Sequence, residues 1–295
     1  MAQPSAVYGR ELSFVTDNDV LLVTDYYYTA GQELTFRKLI NSKNFLKKTD
    51  SCKLFGFLGY GFKMFTPKSI RFSDVGRMDR PYAGWSYLRG GLTRYKNKWT
   101  TESFGLEAGL IGEQSGIGRF QVWWHDKFNL PTPRGWASQI ANEVVFNFNY
   151  QFMRQFKLDN GIDFISQSDV YGGTGTNRLA QQFIIRAGDL NPLNQSVFTN
   201  GRLGSDDVPH ESEFFIFIGY EMNYVISNIF IEGSLFNHNP STLTGKAIPF
   251  VTRNVYGLMH SNKRSSFQFS FSFLSKEVEG NKKHGFTTIV YSYRF

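Results

Sequence analysis

Oxygen-bearing side chains lie next to one another near the start of the chain, at Asp17-Asn18-Asp19. Carboxylate and amide oxygens are the hard ligands that calcium prefers in proteins. The spacing differs from that of an EF-hand, which needs further ligands and a glutamate at the twelfth position of its loop. Considered alone, such a row is more often a turn in which Asx side chains cap the end of a strand. Calcium binding here therefore needs support from other residues.

His125 is the second residue whose type suits catalysis, and it follows Trp123 and Trp124. A neutral imidazole takes a proton from water near neutral pH, so His125 is a candidate general base. The alternative is a packed or interfacial histidine, since tryptophans are typical of membrane interfaces. The chain has no Gly-x-Ser-x-Gly sequence, so the pattern does not predict a serine nucleophile of that kind.

The elements that must position these residues alternate between apolar and polar side chains. In residues 144–152, phenylalanine and tyrosine alternate with asparagine and glutamine. At the end of the chain, Tyr291, Tyr293 and Phe295 share a face opposite Ser292. Successive side chains of a strand point to opposite faces. Such segments are typical of strands that have lipid on one side and water on the other.

The composition agrees with strands rather than helices as the membrane-spanning elements. Aromatic residues make up 17% of the 295 residues, yet the mean hydropathy is only −0.32. A helical membrane protein needs apolar runs of about 20 residues, and the sequence has none. The net charge of +7 suits an anionic membrane surface, but no compact run of basic residues indicates nucleic acid binding. Cys52 is the single cysteine, which excludes an internal disulfide.

The alternating segments recur along the whole chain and predict one domain, residues 1–295. No strong turn signal separates 214–226 from 228–237, so we join them as one long, bulged strand. About twelve strands result, an even number as expected of a bacterial outer-membrane barrel. We therefore predict an all-β fold, an antiparallel transmembrane β-barrel in the bacterial outer membrane. The predicted strands are 9–16, 29–40, 53–66, 82–96, 98–113, 144–152, 160–173, 177–188, 214–237, 248–261, 267–273 and 283–295.

Strand parity predicts which connections share one end of this barrel. With both termini in the periplasm, connections after odd-numbered strands lie outside the cell, and connections after even-numbered strands are short periplasmic turns. The connections after strand 3, residues 67–81, and after strand 5, residues 113–142, are long, whereas 96–98 is short. The polar clusters that follow strands 1, 3 and 5 should therefore meet at the outer rim.

Together these clusters resemble the outer-membrane lipid A 3′-O-deacylase family. The run Asp79-Arg80-Pro81-Tyr82-Ala83-Gly84-Trp85 is long enough to be specific, whereas Asn-Asp or Tyr-Thr-Ala-Gly alone is not. The resemblance covers nearly the whole chain. The matching segments are Asn18-Asp19, Tyr28-Thr29-Ala30-Gly31, Phe65-Thr66-Pro67, residues 79–85, 109–112, His125, Gly135-Trp136, Gln139, Asn142-Glu143, residues 186–188, 229–233 and 293–295.

The resemblance implies a calcium-dependent ester hydrolase whose active-site loops lie at the outer rim of the barrel. In this family a histidine activates water, which attacks the ester that joins a 3′ acyloxyacyl chain to the lipid A disaccharide. By position, His125 is the general base, and Asn18 and Asp19 belong to the calcium and catalytic centre. Thr29 matches the family's threonine at the site. Lipid A or lipopolysaccharide is the implied substrate, outer-membrane lipid surrounds the protein, and we expect a monomer.

Basic residues near the rim are expected to pair with the phosphates of lipid A, because arginine donates two parallel hydrogen bonds to phosphate. Arg80 is the first candidate, with Lys68 and Arg71 beside it; the alternative for each is ordinary solvated loop charge. One departure from the family is visible, because an acidic residue is expected a few positions after the histidine and Pro131 stands there. Asp126 and Glu143 remain alternative partners for His125.

Two other functions remain open from the residues. One is an outer-membrane phospholipase A-like esterase with a broader choice of lipids. The other is a passive porin or structural barrel that has lost its activity; about twelve strands make a narrow barrel whose interior is largely filled by side chains.

Overall fold

The computed structural model describes residues 8–22, 24, 26–40, 53–205, 208–234 and 241–295. Within these residues, twelve antiparallel strands close into a barrel, in which each strand pairs with its sequence neighbours and the last pairs with the first. The predicted fold class is confirmed. The strands are β1 (Arg10–Asn18), β2 (Tyr27–Leu39), β3 (Lys53–Thr66), β4 (Ala83–Tyr95), β5 (Thr100–Ile111), β6 (Glu143–Asp159), β7 (Ile162–Gly173), β8 (Thr176–Gly188), β9 (Glu213–Asn228), β10 (Phe250–Ser261), β11 (Ser265–Leu274) and β12 (His284–Arg294).

Side chains alternate between the outer face and the interior of the barrel, as the sequence predicts. On β6, Phe146 and Phe148 are 58% and 43% exposed on the outer face, while Asn147 and Asn149 are buried in the barrel interior. Exposed apolar side chains on so many strands are typical of a wall that faces lipid. Other exposed outward residues are Leu12, Phe14, Leu34, Leu58, Tyr60, Leu88, Leu106, Leu179, Ile185, Phe214, Ile216, Ile218, Tyr220 and Phe267.

β12 closes the barrel against β1, and Asn18 is paired with Thr287 across this junction. Tyr291 is exposed on the outside. Arg294 is buried on the inside, where its Nη1 donates to Glu11 at 3.2 Å. The predicted faces of the final strand are confirmed.

The two ends of the barrel differ in their connections. We call the end with the connections after odd-numbered strands the outer end. At the opposite end, residues 96–99, 160–161 and 262–264 are short turns, as predicted. The prediction is wrong for residues 189–212, which form a long connection at that end.

Residues 190–205 of that connection, which we call the lumen segment, enter the barrel rather than extending from it. Leu193 and Val197 are fully buried against the inward side chains Phe215 and Phe217. The hydroxyl of Tyr95 donates to the carbonyl of Thr199 at 2.6 Å. Burial of these apolar side chains, together with the hydrogen bond, explains why a long connection is stable inside the barrel.

A buried ion pair anchors the lumen segment. Arg186 is 0% exposed and binds Asp163 through Nη2 at 2.6 Å and Ser196 through Nη1 at 2.8 Å. We expect Arg186→Met to destabilise the barrel by about 3–5 kcal/mol, because it leaves the Asp163 carboxylate buried and unpaired. Urea unfolding in detergent micelles measures this loss. Arg154→Met is the control, because Arg154 is exposed on the outer face of β6. Equal unfolding midpoints for the two variants would contradict the anchoring role.

β9 is shorter than predicted, which corrects the proposed strand 214–237. It ends at Asn228, and a one-turn helix α2 (Ile229–Glu232) follows. The Asn228 side chain accepts from the Phe230 amide at 3.0 Å, and Glu232 accepts from the Asn228 amide at 2.9 Å. Gly233 then ends the turn with a φ of +77°, a conformation that favours glycine. Residues 235–237 lie outside the described residues.

One longer helix, α1 (Ile117–Lys127), interrupts the connection between β5 and β6. No helix in the described part of the chain is long and apolar enough to cross a membrane.

Candidate active site

Named hydrogen bonds join the outer-end connections that carry the sequence motifs. The Tyr27 hydroxyl, at the end of the connection after β1, donates to Asp79 Oδ2 at 2.8 Å. The Arg134 amide, in the connection after β5, donates to the Ile70 carbonyl at 2.9 Å. The connections after strands 1, 3 and 5 therefore meet at one end, as parity predicts.

Helix α1 packs on the outer face of the barrel wall. The Phe120 ring lies 5.6 Å from that of Phe62, and Ile117 belongs to one apolar cluster with Met64. Phe62 and Met64 have the same parity on β3 as the exposed residue Tyr60, so they point outward. This helix lies in a segment that was predicted as a loop, although its apolar residues three and four apart indicate a helix.

Gly84, within the specific motif, allows this close approach. A Cβ atom at Gly84 would lie 2.6 Å from Ile117 Cβ and 2.9 Å from Ser115 Oγ. We expect Gly84→Ala to push α1 away from the wall, at a cost of about 1–3 kcal/mol for overpacking. Limited trypsin digestion should then cut the connection after β5 faster than in the wild type. Gly90→Ala is the control on the same face of β4, since its nearest atom is 3.5 Å away. Identical digestion of the two variants would rule out this packing role.

His125 lies on the last turn of α1 and is 7% exposed. Its Nδ1 is 2.6 Å from the Pro131 carbonyl oxygen. Because a carbonyl can only accept, Nδ1 carries the proton and the lone pair of the neutral ring is on Nε2. The family resemblance implies an acidic residue at position 131. Pro131 instead supplies a neutral hydrogen-bond acceptor, its backbone carbonyl. This geometry leaves His125 able to act as a base at Nε2.

Two arginines flank the peptide that orients His125. Arg71, Pro131, Thr132 and Arg134 line an open cavity of about 320 Å³. Arg71 was predicted as a phosphate ligand and is exposed here, as is Lys68 nearby in sequence. Arg134 was not singled out, although it belongs to a motif-bearing segment. Paired guanidinium groups in an open cavity are suited to bind phosphate.

Arg80 has a different location from the other predicted cations. It is 2% exposed, lies over the ring of the inward residue Phe65 at 5.1 Å, and has Glu277 at 3.9 Å. Its Nη2 donates to the Phe230 carbonyl at 3.5 Å. Burial lowers the pKa of the Arg80 guanidinium, and Glu277 partly offsets this. Arg80 therefore lies in the mouth of the barrel interior, and its role in binding a headgroup phosphate stays a prediction.

β1 ends at Asn18 at the outer end, and Asp19 follows it directly. The Asn18 Oδ1 accepts from the Val20 amide at 2.7 Å, which is the Asx turn that was the alternative to calcium binding. The Asp19 carboxylate is 0% exposed and accepts from the Tyr26 amide through Oδ2 at 3.0 Å. These bonds define the shape of the loop, and each side-chain oxygen is able to accept more than one interaction.

Thr29 lies directly beside this pair. Its carbonyl accepts from the Asp19 amide at 3.3 Å, and its hydroxyl is 2.8 Å from that of Thr66. A β-bulge between Tyr28 and Ala30 accommodates Thr29 in the strand pairing. Three predicted site residues, Asn18, Asp19 and Thr29, are thus brought together.

Strand register connects this group to α1. Asn18 pairs with Ala30, Ala30 with Met64, and Met64 with Gly84, where Ile117 of α1 touches the wall. Adjacent strands are about 4.8 Å apart, so the row from Asn18 to Gly84 spans three such spacings. Asn18, Thr16 and the exposed Phe14 share the outward parity of β1, which places Asn18 on the same outer face as α1.

The donors around Asp19 fit calcium by their chemistry. Asn18, Asp19, Thr29 and Thr66 offer only oxygen, and carboxylate and carbonyl oxygens are typical calcium ligands. Among the described residues no group of three or more His, Cys, Asp or Glu side chains could hold a metal ion. Any calcium held by the described residues would therefore use fewer than three of these side chains, together with neutral oxygens.

A larger cavity lies on another face of α1. It has a volume of about 820 Å³, and Gly118, Val122 and Asp126 line it together with residues 136–137 and 139–142. His125 is not among its lining residues. Asp126 is exposed toward this side, so it does not replace Pro131 as the partner of the His125 ring.

Comparisons with known proteins agree with the barrel fold. A solved structure of LpxR from Salmonella typhimurium is 17% identical, with a TM-score of 0.74, and the match covers 97% of this chain and all of that one. At this identity the likeness shows the fold alone. The β domain of the Bordetella autotransporter BrkA, 10% identical over 98% of this chain and 99% of that one, has a TM-score of 0.49, from which we draw no conclusion. No curated protein sequence matches significantly.

A family model supplies the assignment. The model described as outer membrane protein LpxR matches residues 1–295. The chain therefore belongs to the LpxR family of outer-membrane lipid A 3′-O-deacylases, which are hydrolases.

Proposed function

We propose that this protein hydrolyses the 3′-linked acyloxyacyl ester of lipid A with water activated by His125. The observation that carries the proposal is the hydrogen bond between His125 Nδ1 and the Pro131 carbonyl, at 2.6 Å. This hydrogen bond directs the basic Nε2 of His125 away from Pro131. Pro131 itself lines the open cavity together with Arg71 and Arg134. A base and a phosphate-binding surface thus adjoin one another.

The reaction needs one proton to move twice. His125 Nε2 takes a proton from water as the water oxygen attacks the ester carbonyl. The same nitrogen then donates that proton to the 3′ oxygen of the glucosamine as the ester bond breaks. The products are a free acyloxyacyl acid and a sugar hydroxyl, and no covalent enzyme intermediate is required.

Asn18, Asp19 and Thr29 are the residues that would hold calcium. The ion supplies positive charge for the carbonyl oxygen as that oxygen becomes negative. The Asp19 carboxylate is the only predicted ligand with a negative charge, so it should contribute most to holding the ion.

The lipid substrate would reach this site from the membrane rather than through the barrel. Asn18 and α1 lie on the outer face of the wall, and Trp124 and Phe128 of this region are 43% and 54% exposed. Aromatic residues of this kind are typical of the membrane interface. Arg71, Arg134 and the exposed Lys68 would hold phosphate groups of the substrate, with arginine binding them through two hydrogen bonds.

Mass spectrometry of the lipid tests the proposal. Purified protein in detergent is incubated with lipid A and CaCl₂, and parallel samples contain EGTA. We expect loss of the 3′ acyloxyacyl chain only with calcium. A parallel panel of glycerophospholipids separates the alternatives, because fatty acid release at a comparable rate would favour a broader phospholipase A-like esterase.

The passive-porin alternative is disfavoured by the lumen segment. Its buried side chains pack across the barrel interior against β9. Calcium-insensitive conductance in planar bilayers, with no turnover of lipid A, would restore that alternative.

A further inference from the structure

Tyr27 combines three unusual properties at the start of β2. It has a positive φ of +70°, although it is not glycine. Its side chain is 1% exposed. Its hydroxyl both donates to Asp79 Oδ2 at 2.8 Å and accepts from the Lys282 amide at 3.0 Å. An aromatic residue keeps such a strained backbone only where surrounding contacts impose it, and strain of this kind is concentrated at functional sites.

The contacts of Tyr27 join two outer connections. One follows β1 and begins with Asp19, the candidate calcium ligand; the other follows β3 and contains Lys68, the candidate phosphate ligand. On one side, the adjacent Tyr26 amide donates to the Asp19 carboxylate. On the other side, Asp79 accepts from the Lys68 amide through Oδ1 at 2.9 Å. Asp79 thus binds Tyr27 through Oδ2 and the Lys68 amide through Oδ1. One backbone step, from Tyr26 to Tyr27, and three hydrogen bonds join Asp19 to Lys68.

Ring contacts hold Tyr27 from two directions. Its ring meets those of Tyr26 at 4.8 Å and His284 at 5.5 Å, both edge to face. His284 begins β12, so the connection before the last strand also takes part. Packing of the Tyr27 ring therefore fixes the position of its hydroxyl. The hydroxyl in turn fixes the position of Asp79 through their hydrogen bond.

We propose that Tyr27 is a positioning residue that, through Asp79, holds the Asp19 loop at a set distance from Lys68. This inference rests on the proposed function, because it gives Asp19 and Lys68 their roles. It also explains why the specific motif begins with an aspartate: Asp79 is the acceptor that both loops share.

A calcium titration followed by thermal unfolding tests the inference without measuring turnover. A ligand that binds the folded state raises the unfolding midpoint with concentration. We expect Tyr27→Phe to raise the calcium concentration at half effect about tenfold, the weight of one hydrogen bond to a charged group. Asp79→Ala should give a similar change, and the double variant should be no worse than either single one, since both remove the same bond.

Tyr26→Phe is the matched control. It removes a neighbouring hydroxyl but leaves the backbone amide that binds Asp19, so it should titrate as the wild type does. If Tyr27→Phe and Asp79→Ala also titrate as the wild type does, the inference is wrong while the proposed function stands. If the wild type itself shows no calcium effect, both the calcium assignment and the inference fall. Deacylation rates add a further test. If Tyr27→Phe responds to calcium as the wild type does but no longer deacylates lipid A, then Tyr27 does not act by positioning Asp19.

Discussion

His125→Gln should lower kcat for lipid A deacylation by about 10²–10⁴-fold, the usual contribution of a general base. Glutamine keeps an amide that is able to donate to the Pro131 carbonyl, but it offers no basic nitrogen to water. KM should change little, because the cations that bind phosphate are untouched. Initial rates from mass spectrometry, at several lipid A concentrations, separate the two parameters.

His260→Gln is the matched control for this substitution. His260 is exposed on the outer face of β10, next to the ring of Phe214. Its replacement should leave the rate unchanged. A His125→Gln protein that is folded and deacylates at the wild-type rate would eliminate His125 as the base.

Asp19→Asn should lower deacylation by about 10²–10³-fold at low calcium, the loss typical of removing one group that stabilises an oxyanion. Asparagine still offers an oxygen to the Tyr26 amide, so the loop retains its hydrogen bond while the negative charge is lost. Excess calcium should restore part of the rate. EGTA should inactivate the wild type and have little additional effect on the variant, since both treatments remove the same ion.

Asp17→Asn is the control, two residues before Asp19 on β1. The Asp17 carboxylate accepts from Tyr28 and Thr288 hydroxyls, at 2.7 and 2.6 Å, on the inner face of the barrel. It should retain the calcium dependence of the wild type. If Asp19→Asn and Asp17→Asn respond alike to calcium, then Asp19 is not the ligand that carries the charge.

The barrel was predictable because its wall obeys a local rule. A side chain on β6 or β12 faces lipid or the interior according to parity alone, and lipid tolerates few exceptions. The meeting of the first three outer connections followed from the same parity. The short turn at residues 96–99 could be predicted from the local sequence, without reference to distant residues.

Other features depend on contacts that are distant in sequence. The lumen segment is stable because Phe215 and Phe217 of β9 face inward to receive it, and no local pattern shows that space. Arg80 looks like a rim cation in sequence, yet Phe65 and Glu277 enclose it. The helix α2 is a different case, because Asn228, Glu232 and Gly233 form a local signal of a capped turn that was overlooked.

Part of the arrangement of the candidate site residues was predicted, while their roles stay predictions. Asn18, Asp19 and Thr29 do lie together; parity had placed their cluster at the outer rim, and the resemblance had linked them as site residues. The partner of His125 was missed because a backbone carbonyl carries no residue-type signal. Arg134 was missed because a single arginine in a loop has no pattern, and only the fold places it beside Arg71.

The junction between β1 and β12 has a consequence for assembly. Asn18, on the first strand, is held from one side by the Thr287 hydroxyl of the last strand, which donates to the Asn18 carbonyl at 2.7 Å. A barrel that has not yet closed therefore lacks one wall of the Asn18–Asp19 loop. On the proposed function, hydrolytic competence and the final seam of the barrel would then arise in the same step, so an unfinished chain in transit would carry no active enzyme.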